Sequence, residues 1–315
     1  MAVCDPDPDL VQHFRGDLEA LAPAPGRLGI AVSGGADSLA LLLLAAAAYP
    51  GRVEAATVDH GLRRGSGDEA AMVADLCTRL DIVHATLAPA APIEGNVQSA
   101  ARTVRYALLE NWRAERGLDH LLTAHHLDDQ VETVLMRLNR GAGVAGLSGV
   151  RAVNGRVLRP LLGWRRHELA RIVADAGIEA VDDPSNADPR YDRTRMREAL
   201  AASDWIDPGP VARSAAALAE AEAALAWTAE RLWRERVKEE AGLCLFDPAD
   251  LPAELLRRLT LGILSALDAA PMPRGDEVTR LLAALSLGAT ATLGGIKCRG
   301  GASWRFERAP PRQGA

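Results

Sequence analysis

The hexapeptide Ser33-Gly34-Gly35-Ala36-Asp37-Ser38 joins two apolar runs of different character. Residues 28–32 ahead of it predict a short buried strand, and residues 39–48 behind it, rich in Leu and Ala, predict a buried helix. A Gly-rich turn from strand into helix aims several backbone N–H groups and the helix's positive end at one small volume, which makes an anion site. Ser33 and Ser38 add hydroxyl donors. Asp37 adds a carboxylate that repels phosphate unless a cation lies between them, so the loop calls for a phosphate chain with Mg²⁺ held at Asp37. It is not a Walker loop, which needs Gly-Lys-Ser/Thr, nor a dinucleotide fingerprint, which needs G-x-G-x-x-G.

A second group opens with His125-His126 and continues through Asp128, Asp129 and Glu132. At a helical turn of about 100° per residue, His125, Asp129 and Glu132 lie within about 60° of one another. Leu127, Val131, Val134, Leu135 and Leu138 form the opposite, packing stripe. An imidazole and two carboxylates at a helix start suit Mg²⁺ or an ammonium group, with zinc as the competing reading. Asp59 and His60 end another strand-like run. Arg102, Arg105 and Tyr106 share a helix, with Arg102 and Tyr106 on one face. A polar loop over 181–197 is dense in Asp and Arg, and its Arg193, Arg195 and Arg197 can hold phosphates bidentately.

These residues need a frame that brings them together. Strand-like runs at 28–32, 53–58, 82–87 and 120–123 alternate with helical stretches near 38–48, 67–80, 97–116 and 126–140. Repeated strand–helix units predict an α/β fold, a parallel sheet with helices on both faces. The ligand edge of such a sheet is formed by its strands' carboxyl ends, where the Ser33 loop, Asp59-His60 and His125-His126 all fall. Residues 205–210, with Pro208, Gly209 and Pro210, read as a linker. Beyond it, helices are expected over 213–240, 252–268 and 274–287, then a β-hairpin over 289–308. The expected domains are thus a catalytic one at 1–207 and a smaller, mostly helical one at 208–315.

The chain has 315 residues, 48% of them hydrophobic, and a formal charge of −6. No signal peptide or membrane-length apolar run is visible, so a cytoplasmic protein without membrane contact is expected. Cys4, Cys77, Cys244 and Cys298 are far apart and give no C-x-x-C pair, against a disulfide framework or a sequence-local zinc or iron–sulfur site. Residues 98–166 carry eleven basic against six acidic residues, a basic middle in an acidic chain. Near the end, Lys297, Arg299, Arg305, Arg308 and Arg312 alternate with Trp304 and Phe306, so one strand face can pack while the other meets phosphate.

S-G-G-x-D-S resembles the pyrophosphate loop of the N-type ATP pyrophosphatases. The ordered set S-G-G-A-D-S, V-D-H-G-L-R, A-R-x-x-R-Y, T-A-H-H-x-D-D-Q-x-E-T, R-P-L-L at 159–162 and D-D-P-S-N-x-D-x-x-Y-D-R resembles bacterial tRNA(Ile)-lysidine synthase over about residues 25–200. Residues 291–295 are similar to that family's C-terminal region, and the length fits its short form. The resemblance implies an enzyme that uses ATP and Mg²⁺ to adenylate C2 of the wobble cytidine in the CAU anticodon of tRNA-Ile. The ε-amine of free lysine then displaces AMP, and the tRNA reads AUA instead of AUG. It implies ATP contacts from Ser33, Gly34, Gly35, Ala36, Asp37, Ser38, Asp59, His60, Arg105 and His125. Catalytic roles fall on Asp37, Asp129 and Glu132, with the last two holding lysine. Arg193, Arg195, Arg197, Arg299, Arg305 and Arg308 would meet tRNA, and a homodimer is compatible with the chain. Thr194 stands where that family commonly has Asn. The alternatives are a 2-thiocytidine-type tRNA enzyme and a small-molecule amide-forming ATP pyrophosphatase.

Overall fold

A computed structural model describes residues 3–61, 66–90, 97–181 and 192–309. Arg63, the loop at 182–191 and Arg312 lie outside the described residues. The chain divides into two compact units, residues 1–219 and 220–315.

The first unit runs α1 (Pro8–Leu21), β1 (Leu28–Ala31), α2 (Ala36–Ala48), β2 (Val53–Val58), α3 (Ser66–Arg79), β3 (Val83–Leu87), α4 (Val97–Glu115), β4 (His120–Leu122), α5 (Leu127–Asn139), α6 (Val144–Leu147), β5 (Val153–Asn154), β6 (Val157–Leu158), α7 (Arg166–Asp175) and α8 (Asp192–Ala201), ending with the start of α9 (Pro208–Arg236). Six strands form one sheet in the order β3-β2-β1-β4-β6-β5, parallel except for β5 against β6. β1 is buried along its whole length. Its Leu28 and Ile30 join the core with α1, α2, α3 and α7, whereas Ala31 joins Leu109 and Trp112 of α4 on the other face. Gly29 lets that second face close: a Cβ there would lie 2.7 Å from the Trp112 ring. α2 is apolar all round and buried from Ser38 to Ala45, as a central helix must be.

The order β2-β1-β4 makes a switch point. The chain leaves β1 toward one side of the sheet and returns on the other, opening a crevice between the carboxyl ends of β1 and β4. The loop at 33–38 follows β1, and His125 and His126 follow β4.

The second unit contains the end of α9, then β7 (Val237–Glu240), β8 (Leu243–Phe246), α10 (Ala253–Ala266), α11 (Gly275–Ser286), β9 (Thr290–Leu293), β10 (Ile296–Arg299) and β11 (Trp304–Arg308). Its strands form an antiparallel sheet, β7-β8-β11-β10-β9. The expected hairpin is thus part of a larger sheet, and the helix expected to reach residue 240 stops at Arg236. Trp304 and Phe306 face the core and Phe246 meets the Trp304 ring edge-on, while Arg305 is exposed on the opposite face.

Candidate functional site

The 33–38 loop is a compact turn. Gly34 has φ +85°, a conformation that a side chain disfavours. Ser38 Oγ accepts the Ser33 N–H at 3.1 Å and donates to the Gly35 carbonyl at 2.9 Å. The carbonyl of Gly34 accepts the Val181 N–H at 3.0 Å, tying the loop to distant chain. α2 starts at Ala36, so its first N–H groups, which helix geometry leaves without intrahelical partners, open at this loop. Asp37 is in that first turn. Its Oδ1 is buried with no hydrogen-bond partner among the described residues.

Across the crevice, His126 caps α5 in a reciprocal box. Its Nδ1 accepts the Asp129 N–H at 3.3 Å, and its own N–H donates to Asp129 Oδ2 at 3.1 Å. The cap uses the Nδ1 lone pair, which leaves the ring proton on Nε2. Nε2 lies 3.5 Å from Asp37 Oδ2 and 3.5 Å from Asp129 Oδ2. One buried imidazole therefore bridges the two sides of the crevice. Burial disfavours its charged form, but Asp37, Asp129 and Asp128 together outweigh this and raise its pKa.

Asp129 and Glu132 are buried, 9% and 3% exposed. Two arginines of α8 reach them: Arg193 at 2.7 Å from Asp129 and 2.6 Å from Glu132, and Arg197 at 2.6 Å from Glu132. The alternate arginines of 193–197 therefore do not act alike. Arg193 and Arg197 face the carboxylates, whereas Arg195 pairs with Asp192 and is exposed. Residue 194 between them is buried. α5 begins at Leu127, so His125 lies outside the helix and the expected helical spacing to Asp129 and Glu132 does not hold. Leu138, expected in the packing stripe, is 57% exposed because the helix leaves the core in its last turn.

His125 Nδ1 is 3.2 Å from Thr123 Oγ1. Burial first, then Arg159, Arg102, Arg193 and Arg105, push its pKa down to about 3 from 6.5. Between those values the unfolded chain holds the extra proton. Stability should fall as pH drops from about 6.5 toward 3, by up to about 1.4 kcal/mol per pH unit from this group, and be insensitive to it above. Denaturation at pH 7, 6 and 5 should show a shallower slope, by nearly one proton, in His125→Asn. Equal slopes would contradict a neutral, half-buried His125.

Just after β2, Asp59 Oδ1 accepts from Ser66 Oγ at 2.6 Å and from the Gly61 N–H at 2.8 Å, contacts that lower its pKa in that order. This carboxylate organises its own turn. His60 Nδ1 is buried without a partner among the described residues, and burial, then Arg105, lowers its pKa. Arg102 lies 5.2 Å over the Tyr106 ring, in line with their shared face. In the second unit, Arg305 pairs with Glu307 at 2.9 Å, Arg308 with Asp268 at 2.6 Å, and Lys297 with Glu307 at 3.7 Å, all at the surface.

Sequence reasoning placed His126 at the ligand edge and Arg159 in the R-P-L-L stretch, but gave neither a role. A second His directly before the helix, three residues ahead of Asp129, is the sequence form of the cap. Arg159 opens the R-P-L-L stretch of the family set, but nothing local to it beyond that stretch points to a role. Among the described residues, no three His, Cys, Asp or Glu side chains form a metal-binding group. Cys77, Cys244 and Cys298 are buried apart, and burial pushes the Cys77 thiol up to about 12, so they offer thiolation chemistry little. No described helix is long and apolar enough to cross a membrane.

The parallel sheet, the Gly-rich loop at its switch point and the carboxylate pair opposite define a PP-loop ATP-using domain, and the PP-loop domain family profile matches residues 11–203. Among curated relatives, the tRNA(Ile)-lysidine synthase of Novosphingobium aromaticivorans is 48% identical over 307 residues, 95% of this chain and 93% of that protein. That of Zymomonas mobilis is 43% identical over 93% of this chain and 92% of its own length. Among solved structures, the U34-tRNA thiolase NcsA of Methanococcus maripaludis aligns with a TM-score of 0.55 over 67% of this chain and 80% of its own, at 16% identity, a likeness of fold. This chain belongs to the tRNA(Ile)-lysidine synthase family, ATP-dependent ligases of the PP-loop class.

Proposed function

We propose that this enzyme joins the ε-amine of free lysine to C2 of the wobble cytidine in the CAU anticodon of tRNA-Ile, in the cytoplasm, in two steps. A cytidine carbonyl oxygen is a poor leaving group. In the first step it attacks the α-phosphorus of ATP, the α–β bond breaks, and pyrophosphate departs into the loop formed by Ser33, Gly34, Gly35, Ala36, Asp37 and Ser38. In the second, the amine attacks C2 and AMP leaves with that oxygen. The base must be unstacked for either step, which suits a single-stranded loop substrate.

The observation that carries this reading is the link through His126 between Asp37 on one side of the crevice and Asp129 on the other. It sets a phosphate loop and a buried carboxylate pair around one space. The orphaned Asp37 Oδ1 fits a divalent cation, which usually takes one or two carboxylates plus phosphate oxygens. Mg²⁺ held there would neutralise the leaving pyrophosphate. In this reading Asp129 and Glu132 bind the lysine ammonium and take its proton, so that it attacks as a neutral amine. The ammonium exchanges with the Arg193 and Arg197 guanidiniums. Those two, once released, and the exposed Arg195 then meet tRNA phosphates. His125, His60 and Arg105 border the nucleotide, and Asp59 shapes the turn beneath it.

Residues 220–315 position tRNA in this account, through Arg299, Arg305 and Arg308. The acidic neighbours of Arg305 and Arg308 are surface partners, and exposed pairs are weak enough to yield to phosphate. Replacing all three with alanine should lower the salt dependence of tRNA affinity by up to about three phosphate contacts. Titrations at several salt concentrations measure this, and an unchanged slope would put the tRNA elsewhere. The reading as a whole is tested by pyrophosphate release with each substrate omitted in turn. Full release is expected only with ATP and tRNA-Ile(CAU) together. Release that needs only a small-molecule amine would favour an amide-forming relative.

A further inference from the structure

Arg159 follows β6 at the carboxyl edge of the sheet, where β6 pairs with β4, the strand leading to His125. Its side chain is buried at 5% exposure. Nη1 donates to the Arg151 carbonyl at 2.7 Å, but Nε is buried with no acceptor among the described residues. Among the described residues no carboxylate comes within ion-pair distance of it. Arg102 and Arg105 of α4 also have no carboxylate at that distance among the described residues, but Arg102 is exposed beside the Tyr106 ring and Arg105 is half-buried, so of the three Arg159 alone is closed off from water. Other guanidiniums in this chain reach buried acids: Arg27 and Arg116 meet Glu54, Arg193 and Arg197 meet Glu132, and Arg258 meets Glu222. Arg159 is thus a buried guanidinium beside the chain that runs from β4 to His125, where the Thr123 N–H meets the Leu158 carbonyl at 3.1 Å, with no acid paired with it among the described residues. A guanidinium out of water with an open N–H is unfavourable until an anion completes it.

We propose that Arg159 forms an anion socket at the carboxyl end of β6, beside the chain leading from β4 to His125 and distinct from the loop at 33–38, that takes one phosphate group. The planar fork of Arg159 suits a phosphate's paired oxygens. The group belongs either to the nucleotide, as its α-phosphate, or to the RNA, as a phosphodiester beside the wobble base, and this choice of sources rests on the function proposed above. The two sources share their chemistry and differ in which ligand loses affinity when Arg159 is replaced.

The test uses the full chain carrying Arg159→Met, which keeps the length and removes the charge, and Arg159→Lys. Equilibrium binding is measured for AMP and for an anticodon stem-loop RNA, with thermal unfolding in phosphate-free buffer alongside. Loss of a charge-assisted contact predicts about 10- to 100-fold weaker binding of one ligand to Arg159→Met, partly restored in Arg159→Lys. Loss for AMP assigns the nucleotide, and loss for RNA alone assigns the backbone. The Arg159→Met melting temperature should be unchanged or higher, because an unpaired buried cation has been removed. A lower melting temperature with both affinities unchanged would make Arg159 a packing residue and overturn the socket. Should Arg159→Met not fold, wild-type affinities in Arg159→Lys would overturn it equally. Neither result bears on whether the wild-type enzyme transfers lysine, which is measured separately.

Discussion

Alanine at Asp37 is expected to slow ATP-dependent pyrophosphate release by at least about 100-fold while leaving the fold intact. The two halves of this expectation come from different observations. Asp37 Oδ1 has no partner among the described residues, and the Oδ2 contact to His126 is long at 3.5 Å, so little native bonding is lost. The carboxylate also sits in the first turn of α2, where a phosphate chain would otherwise be repelled by it. If Asp37 holds the cation proposed above, removing its charge withdraws about 2.7 kcal/mol or more from the transition state. Single-turnover pyrophosphate release and a thermal melt on the same preparation check both halves. Near-normal turnover in a folded Asp37→Ala protein would remove Asp37 from the reaction.

The second large effect is expected at Glu132. Glu132→Gln preserves shape and one carbonyl oxygen but removes the charge that meets Arg193 and Arg197 at 2.6 Å each. If the buried pair holds the lysine ammonium, the KM for lysine should rise at least about 10-fold while that for ATP changes little, a factor in line with one lost charge-assisted bond. The guanidiniums complicate the stability outcome: they lose a partner, but both are partly exposed and can turn to water or to Asp129. A modest fall in melting temperature is therefore expected, smaller than for a fully buried pair. A rise in the ATP constant with unchanged lysine dependence would assign Glu132 to the nucleotide side.

Much of the frame was readable because its elements carry strong local patterns. β1 and α2 are continuous apolar runs separated by a Gly-rich turn, and β2 falls over the residues expected of it. α1 was missed although Asp7 caps it and Pro8 occupies its first turn, both ordinary start signals. The same rule explains α9, whose Pro208 and Pro210 looked like a linker but sit where a helix tolerates proline. β7 was absorbed into that helix because Val-Lys-Glu-Glu has helix-like composition, and only its pairing with β8 makes it a strand. Two-residue strands such as β5 and β6 carry no period to detect.

At the site, sequence order identified the loop and the carboxylates but not what meets them. The contacts from Arg193 and Arg197 to Glu132 span more than 60 residues. The 193–197 segment taken alone reads as a phosphate-binding stretch. Only the fold turns two of its arginines onto acids and leaves Arg195 outside. His126 illustrates the converse, since its cap is local and legible while its approach to Asp37 depends on β1 and β4 being neighbours.

The most direct measurement follows labelled lysine into tRNA. The enzyme is incubated with ATP, Mg²⁺, labelled lysine and tRNA-Ile(CAU), and the RNA is digested to nucleosides. The account predicts label on the wobble cytidine alone, one lysine per pyrophosphate released, and none when ATP is omitted or the wobble base is changed. Pyrophosphate released with no lysine on the RNA, or lysine incorporated without ATP, would contradict it.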